Sequence, residues 1–153
     1  MDAAIINPFI NATINVLGTM AFTKAKSGKP YLKPDDTARG DVTGVIGLTG
    51  LAHGTISVTF EENCILKIVS NMFGEPIETL DSEVADAVGE LTNMISGQAR
   101  MELEQNGKLF EAAIPSVITG KGHKIIHITE GPKIAIPFTT DDGAFTIEVC
   151  MSG

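Results

Sequence analysis

Along this chain, apolar residues recur every three or four positions in some stretches and alternate in others, periods that predict helices and strands respectively. The longest helical pattern runs from Leu80 to Asn106 and contains no proline. Val84, Val88, Leu91 and Ile95 recur there at helical spacing, forming a stripe that faces a core. Asp81-Ser82 can accept hydrogen bonds from the first free backbone N–H groups, and Asn106-Gly107 permits a left-handed stop. Residues 3–22 carry a second helical pattern, with Ile6, Phe9, Ile10, Val16, Leu17 and Met20 apolar. Pro8 is tolerable only in a first turn, which predicts a start near Asn7. A third helix opens at Glu61-Glu62, where acidic side chains suit the positive end of the helix dipole. Ile65, Ile68, Val69 and Met72 line one side of it, and Phe73-Gly74-Glu75-Pro76 ends it.

Elsewhere the pattern has period two. In Gly54–Phe60, Ile56, Val58 and Phe60 alternate with Thr55, Ser57 and Thr59, as in a strand with one buried face. Asp41–Thr49 is its antiparallel neighbour, and Gly44, Gly47 and Gly50 thin that strand where a helix crosses closely. Residues 23–40 hold two prolines and read as an extended connection with one short strand around Tyr31-Leu32. Ala112–Thr119 reads as a strand broken by Pro115, Gly120–Gly122 as a turn and His123–Ile128 as a further short strand. Lys133–Thr140 and Ala144–Met151 form a hairpin over Asp141-Asp142-Gly143, with Pro137 suited to an edge or bulge. The order α–β–β–α–α–β–β–β predicts an α+β fold: a largely antiparallel sheet with helices packed on it.

Composition narrows the function classes. At 153 residues the chain fits a single domain spanning 1–153. A formal net charge of −8 argues against nucleic acid or an anionic membrane as a partner and suits a basic patch on another protein. No apolar run approaches the ~20 residues of a membrane span, and the acidic start MDAAIINPF is a poor signal peptide. Two cysteines, Cys64 and Cys150, without metal-type spacing, suit a reducing cytoplasm.

Few residues carry chemistry. Cys64 has no base spaced to activate it and reads as packing. The Gly44–Gly50 stretch lacks the Lys-Ser/Thr ending of a phosphate-binding loop. His123 and His127 would suit zinc on a helix, but four residues of strand span roughly 13 Å, too far for one metal. Asn7, Asn11 and Asn15 form an amide stripe, either solvated or an edge that meets a partner. Asp86, Glu90, Asn93 and Gly97 recur on a polar face of the longest helix. Glu90 and Asn93 differ by ~4.5 Å of rise and about 60°, so both reach one point outside the helix. An amide both donates and accepts, which suits holding a water against a phosphoryl oxygen, while a carboxylate suits a partner's lysine. Two ordinary exposed residues would show the same spacing.

Glu90-Leu-Thr-Asn93, with Asp86 upstream and Pro115 downstream, resembles the D/S-x-x-x-E-x-x-N…P signature of the CheC/CheX/FliY chemotaxis phosphatases. Gly44–Gly50 followed by Gly54–Phe60 is similar to the first hairpin of the CheX branch, and Asn71–Gly74 and Gly89–Met94 with Gly97 continue the match in order. The resemblance implies a phosphatase acting on the aspartyl-phosphate of a CheY-type response regulator. Asn93 would then orient the attacking water and Glu90 would dock a partner lysine. It also implies no cofactor in this chain, with Mg²⁺ held by the phosphorylated partner, and a homodimer joined through the sheets. The CheC branch carries two E-x-x-N sites, whereas the first helix here has Asn7, Asn11 and Asn15 and no glutamate, which favours CheX. The alternative on the same resemblance is a non-catalytic adaptor that binds a receiver domain or a flagellar-switch component. Asp86 is left between catalysis, support and solvation.

Overall fold

The computed structural model describes residues 3–35, 37, 40–120, 123 and 132–151. Its elements are α1 (Ala3–Met20), β1 (Lys26–Ser27), β2 (Tyr31–Leu32), β3 (Val42–Gly50), β4 (Gly54–Phe60), α2 (Glu62–Phe73), α3 (Ser82–Gln105), β5 (Phe110–Ala112), β6 (Ser116–Thr119), β7 (Lys133–Thr140) and β8 (Gly143–Met151). One sheet takes the order β1-β7-β8-β4-β3-β5, with β2 also on β7 and β6 also on β3. All of these pairings are antiparallel, so the α+β architecture read from the sequence holds. The expected strand over His123–Ile128 lies, apart from His123, outside the described residues.

The alternation in the strands decides where the helices sit. Ile56, Val58 and Phe60 of β4 share the core with Ile147 and Val149 of β8, Ile136 and Phe138 of β7, and the buried stripes of all three helices. Phe145 anchors this layer, with its ring 4.9 Å from Phe138 in a stack and 5.1 Å from Phe60 at a tilt. Offset and tilted aromatic contacts of this kind add to the hydrophobic gain of burial.

Three local expectations are corrected. α1 starts at Ala3 rather than near Asn7 and carries Pro8 inside it. Ile6 is buried in the core, and this burial outweighs the one backbone hydrogen bond a proline removes. The same helix is 18 residues long and, by length and composition, apolar enough to cross a membrane, contrary to the sequence reading. Here Phe9, Ala12, Val16 and Leu17 spend its apolar side on the core. Pro137 occupies neither edge nor bulge: β1 covers β7 at Phe138 and Thr139, β2 covers it at Ile134 and Ala135, and the proline falls between them. Its missing N–H therefore leaves no ladder bond unmade, while its carbonyl accepts from Gly28 N at 2.7 Å.

A fourth correction concerns the second face of the sheet. β4 is buried at every residue, Thr55, Ser57 and Thr59 included, so both its faces are covered. On that face Lys33 Nζ meets Glu148 Oε2 at 2.6 Å and donates to the Thr37 carbonyl, with both charged side chains 2% exposed. Thr43 and Thr59 pair through their hydroxyls at 2.7 Å. Ser57 Oγ is buried without a hydrogen-bond partner among the described residues. Alternating hydroxyls resemble a wet face in sequence, but here they form a buried polar layer.

Of the three glycines in β3, Gly44 alone marks the close crossing of a helix. A Cβ there would overlap Thr92 Oγ1 and press on Val88 Cγ1 of α3. At Gly47 a Cβ would meet nothing within 4 Å, and Gly50 instead has φ +126° against the Leu109 carbonyl. The long helix thus rests on bare backbone at Gly44, one residue from Asn93.

Candidate functional site

The chemistry-bearing side of α3 follows from how the helix is held. Asp81 accepts from Val84 N at 3.1 Å to start it, and Lys108 N returns to the Leu103 carbonyl at 2.8 Å beyond its end. Val84, Val88, Leu91, Thr92, Ile95, Ala99 and Leu103 are buried, so the helix can present one opposite side to solvent. Glu83, Asp86, Glu90, Asn93, Met101 and Glu104 are the exposed residues of that side, with half-buried Gly97 among them. Gly89 brings the backbone beside β6, where a Cβ would touch Val117 Cγ2 at 3.4 Å.

Glu90 and Asn93 are therefore on one exposed surface of a helix fixed on both flanks. Among the described residues neither side chain makes a hydrogen bond or ion pair, nor does Asp86. A carboxylate and an amide with all their valences free can meet an incoming lysine and a water together. Pro115 lies in the short connection between β5 and β6, two strands that both pair with β3.

On the other flank α1 runs beside α3. Asn15 Nδ2 donates to Gln98 Oε1 at 2.7 Å, and Asn11 Nδ2 donates to Glu102 Oε1 at 3.3 Å. The amide stripe is thus neither purely solvated nor free for a partner, because two of its three members clip the helices together. Asn7, the third, borders a cleft of about 320 Å³ with Ala3, Ile6, Pro30, Tyr31, Leu32 and Ile134. The clip could have been found by placing the pairs 11/15 and 98/102, each four apart, on two antiparallel helices.

Among the described residues the remaining candidates sit in packing or hydrogen-bonding roles. Cys64 is buried, and burial pushes its thiol up to about 11, which keeps it protonated and a poor nucleophile. Burial also raises Cys150. His123 meets Thr43 Oγ1 through Nε2 and the Gly120 carbonyl through Nδ1, while His127 lies outside the described residues. Among the described residues no group of three or more His, Cys, Asp or Glu side chains is placed to hold a metal ion. The Gly50–Gly54 connection joins two antiparallel strands rather than a strand and a helix.

Comparison with known proteins adds to this geometry. Residues 42–139 match the family described as chemotaxis phosphatase CheX. The chain is 33% identical over 126 residues to the CheY-P phosphatase CheX of Thermotoga maritima, covering 82% of this chain and 81% of that one. A CheC-like superfamily protein from Shewanella sp. PV-4 superposes with a TM-score of 0.94 at 47% identity over the whole of both chains. The CheX-CheY-BeF3-Mg²⁺ complex from Borrelia burgdorferi gives 0.83 at 26% identity, covering 97% of this chain and 98% of that one.

Proposed function

We propose, for a chain that belongs to the chemotaxis phosphatase CheX family, that it hydrolyses the aspartyl-phosphate of a CheY-type response regulator. The observation that carries this reading is the pair Glu90 and Asn93, unpartnered among the described residues and exposed on a helix whose other side is buried in the fold. The Borrelia relative was solved with CheY, BeF3 and Mg²⁺, and BeF3 imitates a phosphoryl group in shape and charge.

The reaction asks little covalent chemistry of the protein, since phosphoryl transfer is governed by positioning and electrostatics. α3 enters the partner's phosphorylation site with its outward side. Glu90 pairs with a lysine of the receiver and fixes the register. Asn93 accepts from a water and donates to a phosphoryl oxygen, holding the water opposite the scissile P–O bond. The water oxygen forms the new bond to phosphorus while the bond to the aspartate oxygen breaks, giving inorganic phosphate and a free carboxylate. Mg²⁺ belongs to the receiver. Asp86, one turn before Glu90, supports the register from the same exposed surface.

Phosphate release from a phosphorylated CheY-type receiver tests the division of labour. Glu90→Ala should raise KM by roughly tenfold or more, the usual cost of losing a hydrogen bond to a charged group. Its kcat should change much less. Unchanged KM would remove Glu90 from docking, and binding without any acceleration of phosphate loss would favour a receiver-binding adaptor.

We also place a homodimer contact at the β1/β2 edge of the sheet. These strands have only two residues each, and Tyr31 and Leu32 are 41% and 68% exposed beside the apolar cleft. A second copy would cover these exposed apolar side chains. Sedimentation should show a dimer that Leu32→Lys dissociates; a monomer in the unaltered chain would refute the contact.

A further inference from the structure

We propose that Arg100 is a docking residue that takes an oxyanion at the mouth of the phosphorylated receiver's site, an inference that rests on the phosphatase reading above. α3 carries five carboxylates, Glu83, Asp86, Glu90, Glu102 and Glu104, and a single cationic residue, Arg100. Its Nε donates to Ser96 Oγ at 3.4 Å, and Ser96 is fully buried. A Cβ at Gly97 would lie 3.9 Å from a terminal guanidinium nitrogen. Helical side chains lean toward the N-terminus, and this one lies back over Gly97, bringing its charge to within about one turn of Asn93.

Two further observations point outward. Among the described residues Arg100 forms no ion pair, although the helix around it is rich in carboxylates. A guanidinium has five N–H donors, and one is used. Gly97 is the second. Glycine inside a helix costs about 1 kcal/mol relative to alanine. Yet a Cβ there would meet nothing within 4 Å but the arginine itself, so no internal contact demands it. Bare backbone at that point leaves the guanidinium flat on the helix and the surface open to an approaching body.

The chemistry of that body follows from the reaction. A site that holds Mg²⁺ and an aspartyl-phosphate presents carboxylate and phosphoryl oxygens at its mouth. Glu83, Asp86, Glu90 and Glu104 would repel it, and the chain's net charge of −8 adds to the repulsion. Arg100 supplies the opposite charge beside the docking pair, in a planar fork that matches an oxyanion better than an ammonium does.

Steady-state phosphate release from a phosphorylated CheY-type receiver, measured across a range of salt, decides the matter. Arg100→Gln should raise KM about tenfold, leave kcat within about twofold and flatten the salt dependence of kcat/KM, as loss of a rim charge does. Arg100→Lys should fall between Arg100→Gln and the unaltered chain. An unchanged KM and salt dependence would overturn the proposal, as would a fall in kcat alone, which would put the guanidinium on the transferring group. Asn93→Ala run in parallel separates the two readings: lost turnover there with no effect of Arg100→Gln leaves the phosphatase standing and removes Arg100. Were the unaltered chain to give no acceleration, the phosphatase reading would fail, and equal affinity of Arg100→Gln and unaltered chain for a BeF3-loaded receiver would then overturn the docking role.

Discussion

Asn93→Ala is expected to lose on the order of 10²-fold or more in phosphatase turnover, the scale that fixing one reactant in line supplies. Its fold and its docking should survive. Asn93 is exposed and makes no hydrogen bond among the described residues, so truncation removes nothing that holds α3 in place. The contacts that fix the helix belong to its neighbours: Thr92 against Gly44, and Gly89 against Val117. Circular dichroism should therefore be unchanged, and affinity for a BeF3-loaded receiver should fall by little, because Glu90 and the rest of the helix still dock. Loss of structure in this variant would mean that Asn93 supports the fold instead.

The largest effect on stability is expected on the opposite face of the sheet. Lys33 and Glu148 stand 2.6 Å apart, each 2% exposed. Lys33→Met would take one partner out of a buried ion pair, which typically costs about 3–5 kcal/mol. For a chain of this size that corresponds to a fall in Tm of roughly 6–20 °C. Much of the penalty is the cost of keeping a charge buried rather than the lost attraction, so Lys33→Met/Glu148→Leu should recover most of it. Urea unfolding of the single and double variants measures both. A single variant as stable as the unaltered chain would show that the carboxylate takes up a proton or finds another donor at little cost. Activity per folded molecule should not change, since the pair lies across the sheet from α3.

The contrast between these two faces explains what could be read from the sequence. α3 was legible nearly to the residue because three independent signals coincide in it: the Val84–Ile95 stripe, the Asp81 cap and the Gly107 stop. The hairpins β3–β4 and β7–β8 were legible for the same reason, with alternation and turn chemistry agreeing. What failed depends on a distant partner, although the helix crossing at Gly44 was legible. Thr55, Ser57 and Thr59 alternate as a solvated face would, and only the fold reveals them buried, with Ser57 beside Glu148 and Thr59 beside Thr43. Asn11 and Asn15 show a four-residue spacing in the sequence, but only the fold sets it against the matching spacing of Gln98 and Glu102. Pro8 and Pro137 obey local rules that tertiary packing overrides, the first through burial of Ile6, the second through the gap between β1 and β2.

The site itself was half legible. The positions of Glu90 and Asn93 on one helical side follow from spacing, and their lack of partners among the described residues is visible only in three dimensions. Arg100 carried no signal, because a single arginine on an acidic helix reads as an intrahelical ion pair. Its guanidinium over Gly97 is a fact of the fold.

The most direct test of the central claim is single-turnover phosphate release from a phosphorylated CheY-type receiver at saturating concentrations of the unaltered chain and of Asn93→Ala. Saturation removes docking from the comparison and leaves the water-holding step. A rate ratio on the order of 10² or more is expected. A ratio near one, with both proteins bound, would contradict the assignment of the reaction to Asn93.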